Sequence, residues 1–281
     1  MPINRPNVFS AGAATNTDLF IDAATNKLGD VARVISFAGF NDDIDSVPEF
    51  ITRSGTALFP QTGVRYNGIN STSSSDDSAG IGVQQVFVEG LDTDGDFASE
   101  FVTMDGTTLV SFSRDYQWVN SVGVTRIGAA TTNVGSLTLR SGVVGYQTGI
   151  VNDSGIPLLG GAAYPRGFTP LLKNFRCQVS QEAATAGNVR IKITHVQGLD
   201  TTSPSAGVIR EFNVHVGSLT AGAYNIFVDT IRPPFIREGK SETGFGNQPS
   251  AGMFYVQADG DAALDAVVSF QCDLLIRDAR A

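Results

Sequence analysis

Few side chains in this sequence could do chemistry. Its 281 residues include two histidines, His195 and His215. A hydrolytic or transfer site needs a nucleophile or base held by a partner. His215 falls on the polar parity of an alternating run and reads as solvated, whereas His195 ends such a run on its apolar parity and reads as capped or half-buried. No Gly-x-Ser-x-Gly elbow, P-loop or His-Glu-x-x-His stands near either. Gly80-Ile81-Gly82 and Gly244-Phe245-Gly246 lack the third glycine of a dinucleotide fingerprint and have no helix to follow, so both read as turns.

The carboxylates offer more. Asp92-Thr93-Asp94-Gly95-Asp96 resembles the opening of a calcium loop, but glycine is wanted at the sixth position and a bidentate glutamate at the twelfth. Phe97 and Thr103 stand there, and a strand follows rather than a helix. An acidic hairpin turn is the favoured reading, with a weak cation at Asp92–Asp96 left open. Asp42-Asp43-Asp45 and Asp76-Asp77 have the composition of a glycosidase pair without the apolar wall that would raise one carboxyl. They read as solvated loop charges, Ser71–Ser78 as an exposed loop. Tyr116 and Trp118 share a parity and could stack on a sugar or fill a core or subunit contact, and the core is preferred. Cys177 and Cys272 are too few for a disulfide framework or a Cys-rich zinc site. Each lies on an apolar parity, so both are expected as buried thiols that fill space. The expectation is no catalytic, cofactor-binding or metal-binding residue, and no cofactor.

The elements that must position these residues are strands. Val189, Ile191 and Ile193 alternate with Arg190, Lys192 and Thr194, and Val208–Val216 behaves likewise. Similar runs occur at Val31–Phe37, Val83–Glu89, Ala98–Met104, Leu109–Val119, Phe175–Val179 and Tyr224–Val228. Asp261–Ala281 opens with helical propensity, but Val268, Phe270, Cys272, Leu274 and Ile276 share a parity and make it a strand. A faint repeat sets Val88-Glu-Gly-Leu-Asp-Thr93 against Val196-Gln-Gly-Leu-Asp-Thr201, each leaving a strand for a hairpin. Either it marks two related units or Gly-Leu-Asp is simply common before hairpins. Glycine and proline crowd Ser141–Gly167, a plausible boundary. The fold expected is all-β: an N-terminal arm (1–30) and two β-sandwich, jelly-roll-like units, 31–150 and 151–281.

Composition narrows the partners. A net charge of −9, from 28 acidic and 19 basic residues without a basic cluster, argues against a nucleic-acid surface. No apolar run approaches the ~18 residues of a membrane span. The opening Met-Pro-Ile-Asn-Arg-Pro-Asn lacks the pattern of a signal peptide, so synthesis in the cytoplasm as a soluble chain is expected.

A resemblance enters at Arg65–Val124. Its Ser/Thr–Asp loop to Asp76, Gly80-Ile-Gly82, the strand into Val88-Glu-Gly-Leu-Asp92, Gly95, then Glu100, Val102 and Gly106-Thr-Thr108 follow in order. This block resembles a segment of virion structural proteins of tailed bacteriophages from aquatic bacteria. Tyr164-Pro-Arg-Gly-Phe-Thr169 is similar to the lead-in of that family's second β unit, and Ile231-Arg-Pro-Pro234 to its proline-marked edge strand. The resemblance implies a non-enzymatic subunit forming a symmetric homo-oligomer on a phage capsid or tail, as a decoration, vertex or tail-associated protein. Its partners would be copies of itself and other capsid or tail proteins, in the virion, after synthesis in the host cytoplasm. The alternative is a carbohydrate- or host-receptor-binding module of a phage particle.

Overall fold

The computed structural model describes residues 32–52, 65–141, 144–150, 158–181, 186–199, 205–216, 224–231, 250–261 and 266–278, so the expected arm, 1–30, lies outside them. Among the described residues every regular element is a strand, and all pairings are antiparallel. The first sheet runs β1 (Ala32–Ile44), β15 (Ala266–Asp278), β10 (Phe168–Gln181), β13 (Tyr224–Ile231). The second runs β12 (Ser205–Val216), β11 (Gly187–Gln197), β14 (Gly252–Gly260), and the far edge of β14 carries both β9 (Gly161–Tyr164) and β2 (Glu49–Phe50). The third runs β5 (Phe97–Thr103), β4 (Val83–Asp92), β6 (Val110–Ile127), β3 (Tyr66–Ser71), β7 (Leu137–Ser141), β8 (Val144–Ile150).

The first two sheets share a nested plan. The innermost hairpin pairs β11 with β12; outward from it β10 meets β13, β9 meets β14 and β1 meets β15. Successive pairs fall in alternate sheets, as in a long hairpin rolled on itself. Strands β3–β8 fill the interval between β1 and β9 and make the third sheet. That excursion leaves and returns at one place, for a Cβ on Gly160 would lie 2.4 Å from Thr52 Cγ2.

This corrects the position expected for β1. The expected unit 31–150 contains residues 32–44, yet β1 pairs along β15, from Ala32↔Arg277 to Ile44↔Ala266. The reason is packing: Val268, Phe270, Cys272 and Leu274 make a long apolar face, and Ile35, Phe37 and Ile44 extend it sideways.

One core lies between the first two sheets, where the Phe270 ring meets Phe37 at 5.7 Å and Phe175 at 6.1 Å. Cys177 and Cys272 are buried there as free thiols, and burial pushes the Cys177 thiol up to about 12 and that of Cys272 up as well. A second core joins the third sheet to the opposite face of β9, β14 and the end of β11, through Ala163, Val196, Met253 and Tyr255. Strand β14 therefore has Phe254, Val256 and Ala258 in one core and Met253 and Tyr255 in the other. A strand buried on both faces loses its alternation.

The sequence repeat is not a structural one. Gly90 lies inside β4, where a Cβ would meet the Trp118 carbonyl oxygen at 2.1 Å. Gly198 follows β11 with φ at 81°, a left-handed turn that glycine permits. The same letters do different work.

Candidate interaction surfaces and buried polar nodes

The residues singled out by chemistry do not converge. His215 is exposed, its Nδ1 3.1 Å from Asn188 Oδ1. At the Asp92–Asp96 turn, Asp92 Oδ1 accepts from the amides of Asp94 (3.0 Å) and Asp96 (3.1 Å), while Arg114 and Arg166 approach Asp92 and Asp96. That carboxylate is spent on turning the chain. Among the described residues no group of three or more His, Cys, Asp or Glu is placed to hold a metal ion. Asp42, Asp43 and Asp45 are exposed. Beside them, partial burial raises the Glu49 carboxyl, a hydrogen bond from Asn41 lowers it, and Asp45 and Asp43 raise it further. Tyr116 and Trp118 are buried at 0% and 1% exposure, which removes them as a sugar platform. Tyr66 packs edge-on against Trp118, and Phe112 against Tyr116. Gly244–Gly246 lies outside the described residues.

Asp76 overturns the reading of its loop as solvated. It is wholly buried and takes four donors: Val83 N (2.8 Å) and Val134 N (3.0 Å) at Oδ1, Ser71 Oγ (2.6 Å) and Gly135 N (2.8 Å) at Oδ2. Hydrogen bonds to an ionised acceptor are the strong kind, and a filled set offsets the cost of burying the charge. The Gly80-Ile-Gly82 pair serves this closure: a Cβ on Gly80 would sit 2.1 Å from Ser75 O, and one on Gly82 2.0 Å from Asp76 Oδ1.

Two more polar nodes brace the sheets. Asn120 of β6 mimics a strand partner, donating Nδ2–H to Ala163 O (2.9 Å) and accepting Ala163 N–H at Oδ1 (2.7 Å). Asp259 of β14 is buried beneath its cross-strand partner Arg190, which donates to Oδ2, with Lys192 Nζ 3.1 Å from Oδ1.

His195 lies in the first core, as its parity suggested, stacked on Phe254 at 4.7 Å with Nε2 2.7 Å from Tyr164 Oη. Burial pushes its imidazole down to about 4 from the ordinary 6.5. Between those values the unfolded chain binds a proton that the folded chain refuses, so stability falls as pH drops from 6.5 towards 4. The loss amounts to about 3 kcal/mol at the lower end. His195→Gln keeps a polar side chain but does not titrate. Urea midpoints of the two proteins should draw together between pH 7 and pH 4 by about that energy; parallel curves would refute it.

The third sheet meets the rolled body along a polar seam. Arg33 of β1 donates to Glu89 Oε2 of β4 at 2.5 Å and lies 4.7 Å over the Phe97 ring. Nearby, Ser36, Asn120, Leu159 and Gln271 line a shallow cleft of about 130 Å³, less than a small-molecule site of roughly 300–1,000 Å³. Among the described residues the most exposed phenylalanine is elsewhere. Phe101, 63% exposed on β5, faces its cross-strand partner Phe87 at 5.2 Å on the outer side of the third sheet.

No protein-family model and no curated protein matches the chain. Among solved structures it is similar to T=1 particles derived from infectious bursal virus, at 11% identity over 88% of this chain and 69% of that one, with a TM-score of 0.24. Infectious bursal disease virus strain Gt gives 11% identity over 87% and 71% with a TM-score of 0.23, and strain Gx 7% over 88% and 72% with 0.24. These scores fall below those of a shared fold.

Proposed function

We propose that this chain is a non-enzymatic structural subunit of a virion, forming a symmetric homo-oligomer on a phage capsid or tail. The observation that carries the reading is the nested order β1–β15, β9–β14, β10–β13, β11–β12 across two facing sheets. We read it as the jelly-roll plan, used by viral capsid and lectin domains among others. The phage-virion resemblance of Arg65–Val124 favours the capsid side, and the burial of Tyr116 and Trp118 takes from the glycan-binding side the aromatics it relied on. In this reading the rolled body and the third sheet are the two units of the chain.

The test compares the full chain with one lacking residues 1–30, by native mass and by retention on purified particles. The intact protein should oligomerise and co-sediment with particles. The shortened one should keep its strand-type circular dichroism and lose incorporation, because ordering an arm costs about 1–2 kcal/mol per residue and needs a neighbour to offset it. A full-length protein that stays monomeric, binds no particle component and turns over a glycan would sink the reading.

A further inference from the structure

We infer that the outer edge of β5, with Phe101 and Phe87 beside it, is a contact surface for a second copy of this chain; the inference rests on the oligomeric reading above. Among the described residues strand β5 ends the third sheet, and its pairing with β4 is unbroken from Gln85↔Thr103 to Leu91↔Phe97. A regular edge leaves backbone N–H and C=O groups ready for another strand, and proteins normally blunt such edges with lysine, proline or a bulge. Phe97-Ala-Ser-Glu-Phe-Val-Thr103 has none of these. Its one charge, Glu100, is turned to the core side, where it accepts from Tyr116 Oη (3.0 Å) and Ser113 N (2.8 Å). Pairing the edge therefore strands no carboxylate. The edge strand β12 is different: exposed Arg210 and Glu211 stand on it, and its pairing with β11 shifts register between Ile193 and Thr194.

A second copy fits this surface for reasons of charge and symmetry. The chain carries −9, so two copies repel wherever carboxylates meet. The outer side of the β5 edge presents the uncharged Gln85, Phe87, Ser99, Phe101 and Thr103, and its one carboxylate, Glu89 opposite Ser99, is already held by Arg33. An antiparallel edge is also complementary to itself about a two-fold axis, so one patch serves both partners. The space beside Phe87 is open, for a Cβ on its cross-strand partner Gly123 would meet nothing within 4 Å. An aromatic ring from the partner can enter there.

The experiment is sedimentation velocity over a concentration series on the full chain, Phe101→Glu, Ser99→Glu and Val208→Glu. Phe101, Ser99 and Val208 are all exposed, so every variant should fold, with small losses in melting temperature where Phe101→Glu gives up its Phe87 pair and Ser99→Glu stands opposite Glu89. Phe101→Glu and Ser99→Glu should weaken self-association at least about tenfold, with Val208→Glu, on β12, matching the parent. Equal association of all four proteins would overturn the inference, as would equal weakening by Val208→Glu or a parent monomeric at every concentration. Particle retention of Phe101→Glu separates the two readings: variants that associate like the parent and are retained on particles end the β5 contact alone, whereas a parent that is never retained ends the virion reading.

Discussion

Asp76→Ala should destabilise the protein by about 3–5 kcal/mol, because several buried donors lose their acceptor at once. The substitution leaves the amides of Val83, Val134 and Gly135 and the Ser71 hydroxyl facing a void. Each buried donor without an acceptor costs roughly 1–3 kcal/mol, less where water enters. Asp76→Asn separates charge from acceptor number. Its one carbonyl oxygen can serve one side of the node, while its NH₂ must face donors on the other. It should therefore fall between the parent and alanine. Urea unfolding at neutral pH reads both, and a loss below about 1 kcal/mol for alanine would show that the loop closes without this carboxylate.

Asp76 also shows where the sequence stops being readable. Ser71–Ser78 has the composition of a solvated loop, and nothing local marks one of its aspartates as buried. Two of the amides that hold it lie 58 and 59 residues further on. The alternating strands were legible because one face is wet: Arg190 and Lys192 lie between Val189, Ile191 and Ile193, and the structure keeps that parity. The C-terminal strand was legible for the same reason, since Val268 to Ile276 line one core. Strand β14 was not, because Met253 and Tyr255 face one core while Phe254 and Val256 face the other. The glycine-rich stretch Ser141–Gly167 carries two meanings, for the chain passes there from β8 of the third sheet to β9 of the second. Part of it is β9, wholly buried, where small residues allow close packing: a Cβ on Gly161 would lie 2.7 Å from Phe254 O. Small residues signal a linker and a tight sheet contact with the same letters.

Phe101 is a different kind of miss. Its position on the polar parity of β5, between Ser99 and Thr103, was readable from Ala98–Met104 as a strand. What the sequence does not carry is that β5 ends a sheet, which depends on the order of strands distant in the chain. Edges are properties of topology, and a surface phenylalanine gains meaning only once its strand is known to have a free side.

The largest effect should come from β1. A fragment of residues 151–281 holds β9 to β15 but lacks the strand beside β15, and it should not fold. Ile35, Phe37 and Ile44 are each at most 6% exposed, and each buried side chain of this size contributes about 1.5–3 kcal/mol. Together they approach the whole stability of an ordinary domain, about 5–15 kcal/mol. Removing them also opens β15 and the Phe270 ring to solvent. Restoring the strand needs little chain, because Thr52 and Gly160 are neighbours. A variant in which residues 32–52 run through a short glycine-serine linker into residues 158–281 bypasses the third sheet and rebuilds every pair of the rolled body. It uncovers Met253 and Tyr255, so polar substitutions there keep it soluble, and its melting temperature should lie below that of the full chain. The expected result is a cooperative thermal transition for the linked variant and none for the 151–281 fragment. A cooperative transition in that fragment would place β1 outside the folding unit, and the rolled body would then be a seven-stranded sandwich that merely accepts β1 at its edge.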